Sequence, residues 1–207
     1  MKNVTVISHP LVQHNLARLR DKRTDSQEFR RLLGEIAALM TYEATRTFAV
    51  KKISVQTPLA PCPGLRLERE VALVPVLRAG LGMLDAILEL IPHARVGFIG
   101  LKREETTLRA MFYHKSLPKN LERFEVLLID PMLATGGSTV AAIDLLQEQG
   151  AKHIRVVNLV AAPEGIRLVQ KCHPNIPIYV ASVDKKLNER GYIIPGLGDA
   201  GDRLFGT

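Results

Sequence analysis

The chain has 207 residues, of which 46% are hydrophobic and 24% charged. Those proportions exclude intrinsic disorder and low-complexity or collagen-like fibres, and the length suits one large domain at roughly 150 residues per domain. With 28 Lys and Arg against 21 Asp and Glu, the net charge of +7 favours an anionic partner: nucleic acid, a membrane surface or a phosphorylated small molecule. Cys62 and Cys172 lie far apart and neither sits in a CxxC, so free thiols are expected rather than a disulfide or a zinc site. The histidines show no HExxH spacing. The start, MKNVTVISHP, has no apolar signal-peptide core. The uncharged run Pro131 to Ile143 is shorter than the roughly 18 residues of a membrane span. A soluble, cytoplasmic chain without a membrane partner is expected.

Along the chain, residues 1–57 read as an N-terminal helical region. Asp25-Ser26 can cap a segment in which Phe29, Leu32, Leu33, Ile36, Leu39 and Met40 recur at helical spacing, opposite Glu28, Arg31 and Glu35. That stripe reads as a packing face. A Pro-rich patch, Pro58 to Gly64, separates it from the rest. Short apolar runs follow at Val71–Leu77, Val96–Leu101, Phe124–Ile129, Ile154–Ala161 and Ile178–Val183, several β-branched and barely alternating, as in strands buried on both faces. Between them, Leu81, Leu84, Leu88 and Ile91 form one helical stripe stopped by Pro92. Val140, Ile143 and Leu146 form another, ended by Gly150. Alternating strands and helices predict an α/β fold with a mainly parallel five-stranded sheet flanked by helices. Ligands of such sheets sit beyond the carboxyl ends of the strands.

The most informative stretch is Val126-Leu127-Leu128-Ile129-Asp130-Pro131-Met132-Leu133-Ala134-Thr135-Gly136-Gly137-Ser138-Thr139. It reads as a buried strand, an acid at its carboxyl end, a short loop and a helix start. Glycines let backbone approach a ligand, and free N–H groups at a helix N-terminus bind phosphate with help from the dipole. Asp130 would repel phosphate but can accept hydrogen bonds from sugar hydroxyls or hold magnesium. The combination suits a phosphorylated sugar. The plain alternative is a Gly-rich turn capped by Ser138.

This stretch, in the form DPMLATGGS, resembles the signature that binds 5-phosphoribosyl-1-pyrophosphate (PRPP) in type I phosphoribosyltransferases, and most closely that of the uracil-specific branch. Many type I members carry two adjacent acids here, whereas this chain has Asp130 followed by Pro131, as the uracil branch does. The resemblance runs from HPLVQHNLARLRD to the final GDRLFGT. It implies one phosphoribosyltransferase domain over 1–207, with a small base-binding hood at 184–207. PRPP would be held by Arg78, Arg103, Asp130, Pro131, Met132, Leu133, Ala134, Thr135, Gly136, Gly137, Ser138 and Asp199. Among these, Arg78, Arg103, Asp130 and Asp199 carry the catalytic roles.

Two further stretches bear the resemblance. Pro75-Val76-Leu77-Arg78-Ala79-Gly80-Leu81-Gly82 matches the pyrophosphate loop, for which the family implies a cis Arg78–Ala79 bond. Lys102-Arg103-Glu104-Glu105 supplies the second arginine, while Glu104 and Glu105 read as a solvated charge run. In the tail, Gly196 to Gly201 fits GxGxxG, but six residues beyond it build no βαβ unit. The resemblance instead assigns uracil to backbone groups at Ile193, Gly198, Asp199 and Ala200.

The implied reaction is uracil + PRPP giving UMP + pyrophosphate, with Mg2+ as cofactor, held mainly through PRPP. It also implies a homo-oligomer, at least a dimer, with a GTP effector in some members. Two alternatives stand beside it. A nucleic-acid-binding regulator of the same fold would use the +7 charge, although the basic residues are dispersed, aromatics are only 5% and no nucleic-acid partner is expected. A purine enzyme would share the PRPP loops and differ in the tail.

Overall fold

A computed structural model describes residues 3–103 and 110–207, with only the backbone of Lys102, Arg103 and Ala110. In chain order the elements are β1 (Val4–Val6), α1 (Pro10–Arg20), α2 (Ser26–Ala44), β2 (Val50–Gln56), β3 (Pro61–Leu67), β4 (Glu70–Leu77) and α3 (Leu81–Leu90). There follow β5 (Arg95–Val96), β6 (Phe98–Arg103), β7 (Ala110–Ser116), β8 (Phe124–Ile129), β9 (Met132–Leu133) and α4 (Gly137–Glu148). Last come β10 (His153–Ala161), α5 (Pro163–Cys172), β11 (Ile178–Val183), β12 (Lys186–Leu187), β13 (Ile193–Ile194) and α6 (Ala200–Phe205).

The main sheet runs β1-β11-β10-β8-β4-β6-β7, with β5 beside β4 and β9 beside β10. Every pairing in it is parallel except β6 with β7. The five predicted apolar runs form its centre. Their ladders are buried on both faces: β8 has no exposed residue, and β4 is buried from Val71 to Val76. Strands β1 and β7 extend the sheet beyond the predicted five. β1 has only three residues, and β7 alternates polar and apolar side chains too weakly to stand out.

Helices cover both faces. On one, α1, α2 and α3 pack Leu16, Phe29, Leu33, Ile36 and Met83 against Leu73, Leu127 and Val157. On the other, α4 and α5 set Ile143, Leu146 and Ile166 against Val74, Val126 and Val156. Asp25 caps α2 as expected, its carboxylate accepting from the Glu28 N–H at 2.8 Å. Gly150, at φ +89°, follows α4 as expected.

Three expectations need correction. The N-terminal region is not helical throughout, because β2 occupies Val50–Gln56. The Pro-rich patch is not a spacer: Pro61 to Gly64 lie in β3, paired antiparallel with β2. A two-stranded ribbon tolerates proline because each strand has one unpaired edge towards which a missing N–H can face. In α3 the buried residues are Met83, Leu84 and Ile87, while Leu81 sits at the surface and Leu88 is only partly covered. The core-facing stripe is rotated because Gly82 lies hard against α2: a Cβ there would come within 2.5 Å of Leu33.

Leu33 is fully buried at that contact. Leu33→Ala is expected to cost about 2–5 kcal/mol, as large-to-small core changes do, measured by urea unfolding of purified protein. A loss under 1 kcal/mol would mean that the α2–α3 seam is loosely packed.

Candidate functional site

Parallel strands put all their carboxyl ends on one edge, so the loops after β4, β6, β8, β10 and β11 share it. The loop after β8 is built first by its neighbours. Asp130 donates its N–H to the Val157 carbonyl at 3.2 Å, and Leu159 and Val160 both donate to the Pro131 carbonyl. β9 then rejoins β10, pairing Met132 with Val160 and Leu133 with Ala161. Between the two ladders, the buried Asn158 donates from Nδ2 to the Asp130 carbonyl at 2.7 Å. A side chain thereby replaces a ladder bond where the strand turns away.

The chain next climbs over the start of α5. Gly136 has φ +87°, and a Cβ on it would sit 2.8 Å from the Gly165 carbonyl. A Cβ on Gly165 would meet the Ala134 carbonyl at 2.4 Å. Glycine is required at both positions by close backbone contact. α4 then begins on Gly136 with no side-chain cap and no acid in its first turn. The plain alternative of a Ser138 cap is thus not what forms. The first intrahelical bond runs from the Val140 N–H to the Gly136 carbonyl, so the amides of Gly137, Ser138 and Thr139 precede it and have no helical acceptor, next to the exposed Ser138 hydroxyl. A Cβ on Gly137 would meet nothing closer than Thr135 Oγ1 at 3.9 Å, so the cradle is open. Such an uncapped helix start with oriented amides suits a phosphate.

Asp130 sits behind that cradle, half-buried. Desolvation pushes its carboxyl up to about 7, with the Met132 N–H at 3.4 Å pulling weakly the other way. Without a cation or hydroxyl beside it, this carboxylate is held in an environment that disfavours its charge.

The loop after β4 joins the same edge. A Cβ on Gly80 would lie 2.6 Å from the Ile129 carbonyl, which puts the Arg78 loop directly against the start of the Asp130 loop. The expected cis bond is displaced by one residue: Leu77–Arg78 is cis, not Arg78–Ala79. Arg78 Nη2 lies 3.9 Å from Asp202 Oδ1, and its guanidinium stands 5.7 Å from the Phe205 ring centre. The tail therefore adjoins the arginine. Arg103 ends β6 on the same edge, but its side chain, with Glu104 and Glu105, lies outside the described residues.

In the tail, β12 and β13 make a small antiparallel hairpin, and the chain turns through a cis Ile194–Pro195 bond and Gly196 at φ +62°. Gly198, at φ +83°, is exposed, as is Asp199. Asp199 caps α6, accepting from the Asp202 N–H at 3.0 Å. Ala200 and Ile193 are both 3% exposed and belong to the core.

Sequence reasoning missed Asn158 and Gly165, and also Asp184, which follows β11 as Asp130 follows β8. Signals existed for two of them: Asn158 is the uncharged polar residue inside an apolar strand, and Asp184 is an acid at a strand's carboxyl end. A groove of about 640 Å³ lies elsewhere, between α2, α3 and α6, lined by residues such as Gly34, Asp85 and Phe205. The α3-start amides that line it, those of Leu81 and Gly82, already donate to the Arg78 and Ala79 carbonyls, unlike those at the start of α4.

The uracil phosphoribosyltransferase family model matches residues 6–207. The chain belongs to that family. It is 55% identical to the uracil phosphoribosyltransferase of Clostridium tetani and 53% identical to that of Finegoldia magna, with 100% of each chain covered. The solved structure of the AQ2163 protein from Aquifex aeolicus superposes with a TM-score of 0.93 at 37% identity, covering 99% of this chain and 98% of that one. A purine phosphoribosyltransferase from Pyrococcus horikoshii, 16% identical with a TM-score of 0.53 over 74% of this chain and 84% of its own, shares the fold alone. The reaction of this chain is the transfer of the phosphoribosyl group from PRPP to uracil, giving UMP and pyrophosphate in pyrimidine salvage.

Two outcomes test the geometry. Gly165→Ala should displace the Ala134–Gly136 loop and weaken PRPP binding at least tenfold in a folded protein, read by calorimetry; a tenfold loss is about 1.4 kcal/mol. Asp130 gives a pH test on the unliganded protein. Its carboxyl titrates at about 7 when folded and near 3.8 ordinarily. The folded state therefore binds the extra proton between those values, and stability falls as pH rises through that window. Asp130→Asn removes the loss, so the variant should melt above wild type near pH 8 and match it near pH 3. Equal melting temperatures at both pH values would show that the carboxyl is well solvated.

Proposed function

We propose that the chemistry runs at this edge, with the residues in definite roles. Amides of Gly137, Ser138 and Thr139, with the Thr135 and Ser138 hydroxyls, hold the 5′-phosphate, while the backbone from Pro131 to Ala134 and Gly136 shapes the cradle. Asp130 accepts hydrogen bonds from the ribose hydroxyls. Arg78 and Arg103 face the pyrophosphate, with Asp199 beside it. Backbone groups at Ile193, Gly198, Asp199 and Ala200 read the polar edge of uracil. The observation that carries this reading is the uncapped start of α4, standing directly after a desolvated acid at a strand end.

Uracil N1 attacks C1′ of the ribose as the bond to pyrophosphate breaks, so positive charge grows on the sugar and negative charge on the leaving group. The residues contribute by positioning and by electrostatic stabilisation of that leaving group. Among the described residues no cluster of three or more His, Cys, Asp or Glu is placed to hold a metal. The Asp130 carboxylate, whose charge desolvation disfavours, fits Mg2+ held chiefly by PRPP oxygens. When bound, Mg2+ would neutralise part of the pyrophosphate charge.

The chain is further proposed to work as a single domain over 1–207. Exposed Leu59 and Leu65 on the β2–β3 hairpin support assembly of at least two copies. Among the described residues no helix is long and apolar enough to cross a membrane. The two free cysteines are exposed, which supports a reducing, cytoplasmic setting. GTP activation is proposed from family resemblance, and the assay for it is turnover against GTP concentration.

The deciding experiment follows pyrophosphate release with PRPP, Mg2+ and a panel of bases. Uracil should be used and purines refused. Arg78→Ala and Arg103→Ala should each slow turnover, since loss of one such electrostatic contact commonly costs about 2.7–4 kcal/mol. Gly137→Val should abolish PRPP binding while the protein stays folded. Near-normal turnover in both arginine variants would mean that other groups hold the pyrophosphate.

A further inference from the structure

Arg20, at the last turn of α1, lies outside every motif discussed so far, yet its guanidinium reaches across the fold. Nη1 donates to Asp184 Oδ2 and Nη2 to Asp184 Oδ1, both at 2.7 Å. Nη1 also donates to the Gly196 carbonyl at 2.8 Å. Asp184, immediately after β11, accepts in addition from the Gly196 N–H and from the Ser182 hydroxyl, each at 2.8 Å. Its own N–H is bound to the Ala161 carbonyl at the end of β10. Burial pushes the Asp184 carboxyl up, but the hydrogen bonds from Arg20, Ser182 and Gly196 outweigh it and hold it below its ordinary value.

Both polar groups of the Gly196 peptide are thus taken, the N–H by Asp184 and the carbonyl by Arg20. Gly196 is also the tightest point of the tail. A Cβ there would sit 2.2 Å from the Ile193 carbonyl, in a backbone conformation of positive φ. Three residues before it stands Ile193, and two after it Gly198, the flanks of the segment assigned to uracil. The Asp184 side chain is 4% exposed and the Arg20 side chain 20%, so the pair is shielded and its geometry is firm. Arg203 reinforces the next residue, donating to the Leu197 carbonyl at 2.9 Å and to the Asp21 carbonyl at 2.7 Å.

We infer that Arg20, acting with Asp184 through Gly196, is a positioning residue that sets the height and shape of the base loop and thereby the choice of uracil. It rests on the reading of Ile193 and Gly198 to Ala200 as the base pocket. Among the described residues the side-chain hydrogen bonds of Arg20 and Asp184 end on one another, Ser182 and Gly196 and on no residue of the loops after β4 and β8, so PRPP binding should change far less than uracil binding. Lysine cannot replace arginine here, because one ammonium lacks the planar fork that grips two carboxylate oxygens while also reaching a carbonyl.

The test uses full-length Arg20→Lys and Asp184→Asn, chosen because they keep most of the buried volume, with Gly198→Val as a separate probe of the pocket. Melting curves establish that each is folded before kinetics are read. KM is then measured for uracil and for PRPP separately, and turnover is compared for uracil, cytosine and thymine. Arg20→Lys should raise KM for uracil about tenfold, the scale of one charge-assisted hydrogen bond, with KM for PRPP within about twofold and with relative turnover of the wrong pyrimidines increased. A purely structural role would lower active protein without splitting the two KM values or relaxing base choice. The inference is overturned if folded Arg20→Lys keeps wild-type KM for uracil and base preference, or if both KM values rise together. Should Gly198→Val alone raise KM for uracil, the pocket stands and only the role of Arg20 falls. Should Gly198→Val also leave uracil kinetics untouched, the pocket assignment falls and takes the role of Arg20 with it.

Discussion

Two backbone segments cross without side chains between them, and the half of the site proposed to hold PRPP depends on that crossing. Gly136 and Gly165 meet where the loop after β8 passes over the first turn of α5, at separations no Cβ could occupy. The contact does more than save space. It forces the loop down onto the ends of β9 and β10, so α4 starts with its amides turned towards the open edge. Asn158 completes the arrangement by supplying the donor that the departing strand no longer finds in the ladder. A buried amide used in this way is costly unless satisfied, and its Oδ1 remains unpartnered. That residual cost marks a place where local packing has been subordinated to the position of Asp130.

Electrostatics follows from the same geometry. A phosphate cradle needs positive potential, supplied by helix-start amides and by Arg78 at the neighbouring strand end. An acid in the middle of such a site is stable as an anion only with something to bind. Desolvation therefore raises Asp130 while the site is unliganded, and hydroxyl donors or a cation brought by substrate would reverse the shift. Asp184, also at a strand end, has the opposite fate because Arg20 and two further donors already meet it. Similar placement on the sheet gives two carboxylates with opposite shifts, one already met by donors and one left to be met by a ligand in the proposed site.

Legibility in the sequence tracks burial and chain distance. The five central strands were readable because burial on both faces demands apolar runs, and the predicted limits of β8 and β11 coincide with the observed ones. The helix at Ser26–Ala44 was readable because its period and its Asp25 cap are local signals. The hairpin at β2–β3 was not, since its strands are exposed and proline in a two-stranded ribbon looks like a linker. The rotated face of α3 was hidden because a glycine contact, not a hydrophobic stripe, sets its orientation. At the site, the cradle could be read from DPMLATGGS, but its partners Asn158 and Gly165 are set by strand pairing about 28 residues away in sequence.

The two halves of the proposed site, one for PRPP and one for the base, are therefore made differently. The PRPP half is short-range: strand, loop and helix start in one segment, braced by the next βα unit. The base half is long-range, with Arg20 bound to Gly196 across 176 residues and Arg203 bound to Asp21 across 182. Contacts of that kind form only after the sheet has brought both ends of the chain together, because loop closure must be met before they can contribute. The cradle at the sheet edge is thus set by local contacts, while the shape of the proposed base loop depends on the tail being seated against α1 and α2. In this fold, the N-terminal helical hairpin is more than cover for the sheet. It is the wall against which the proposed base loop takes its shape.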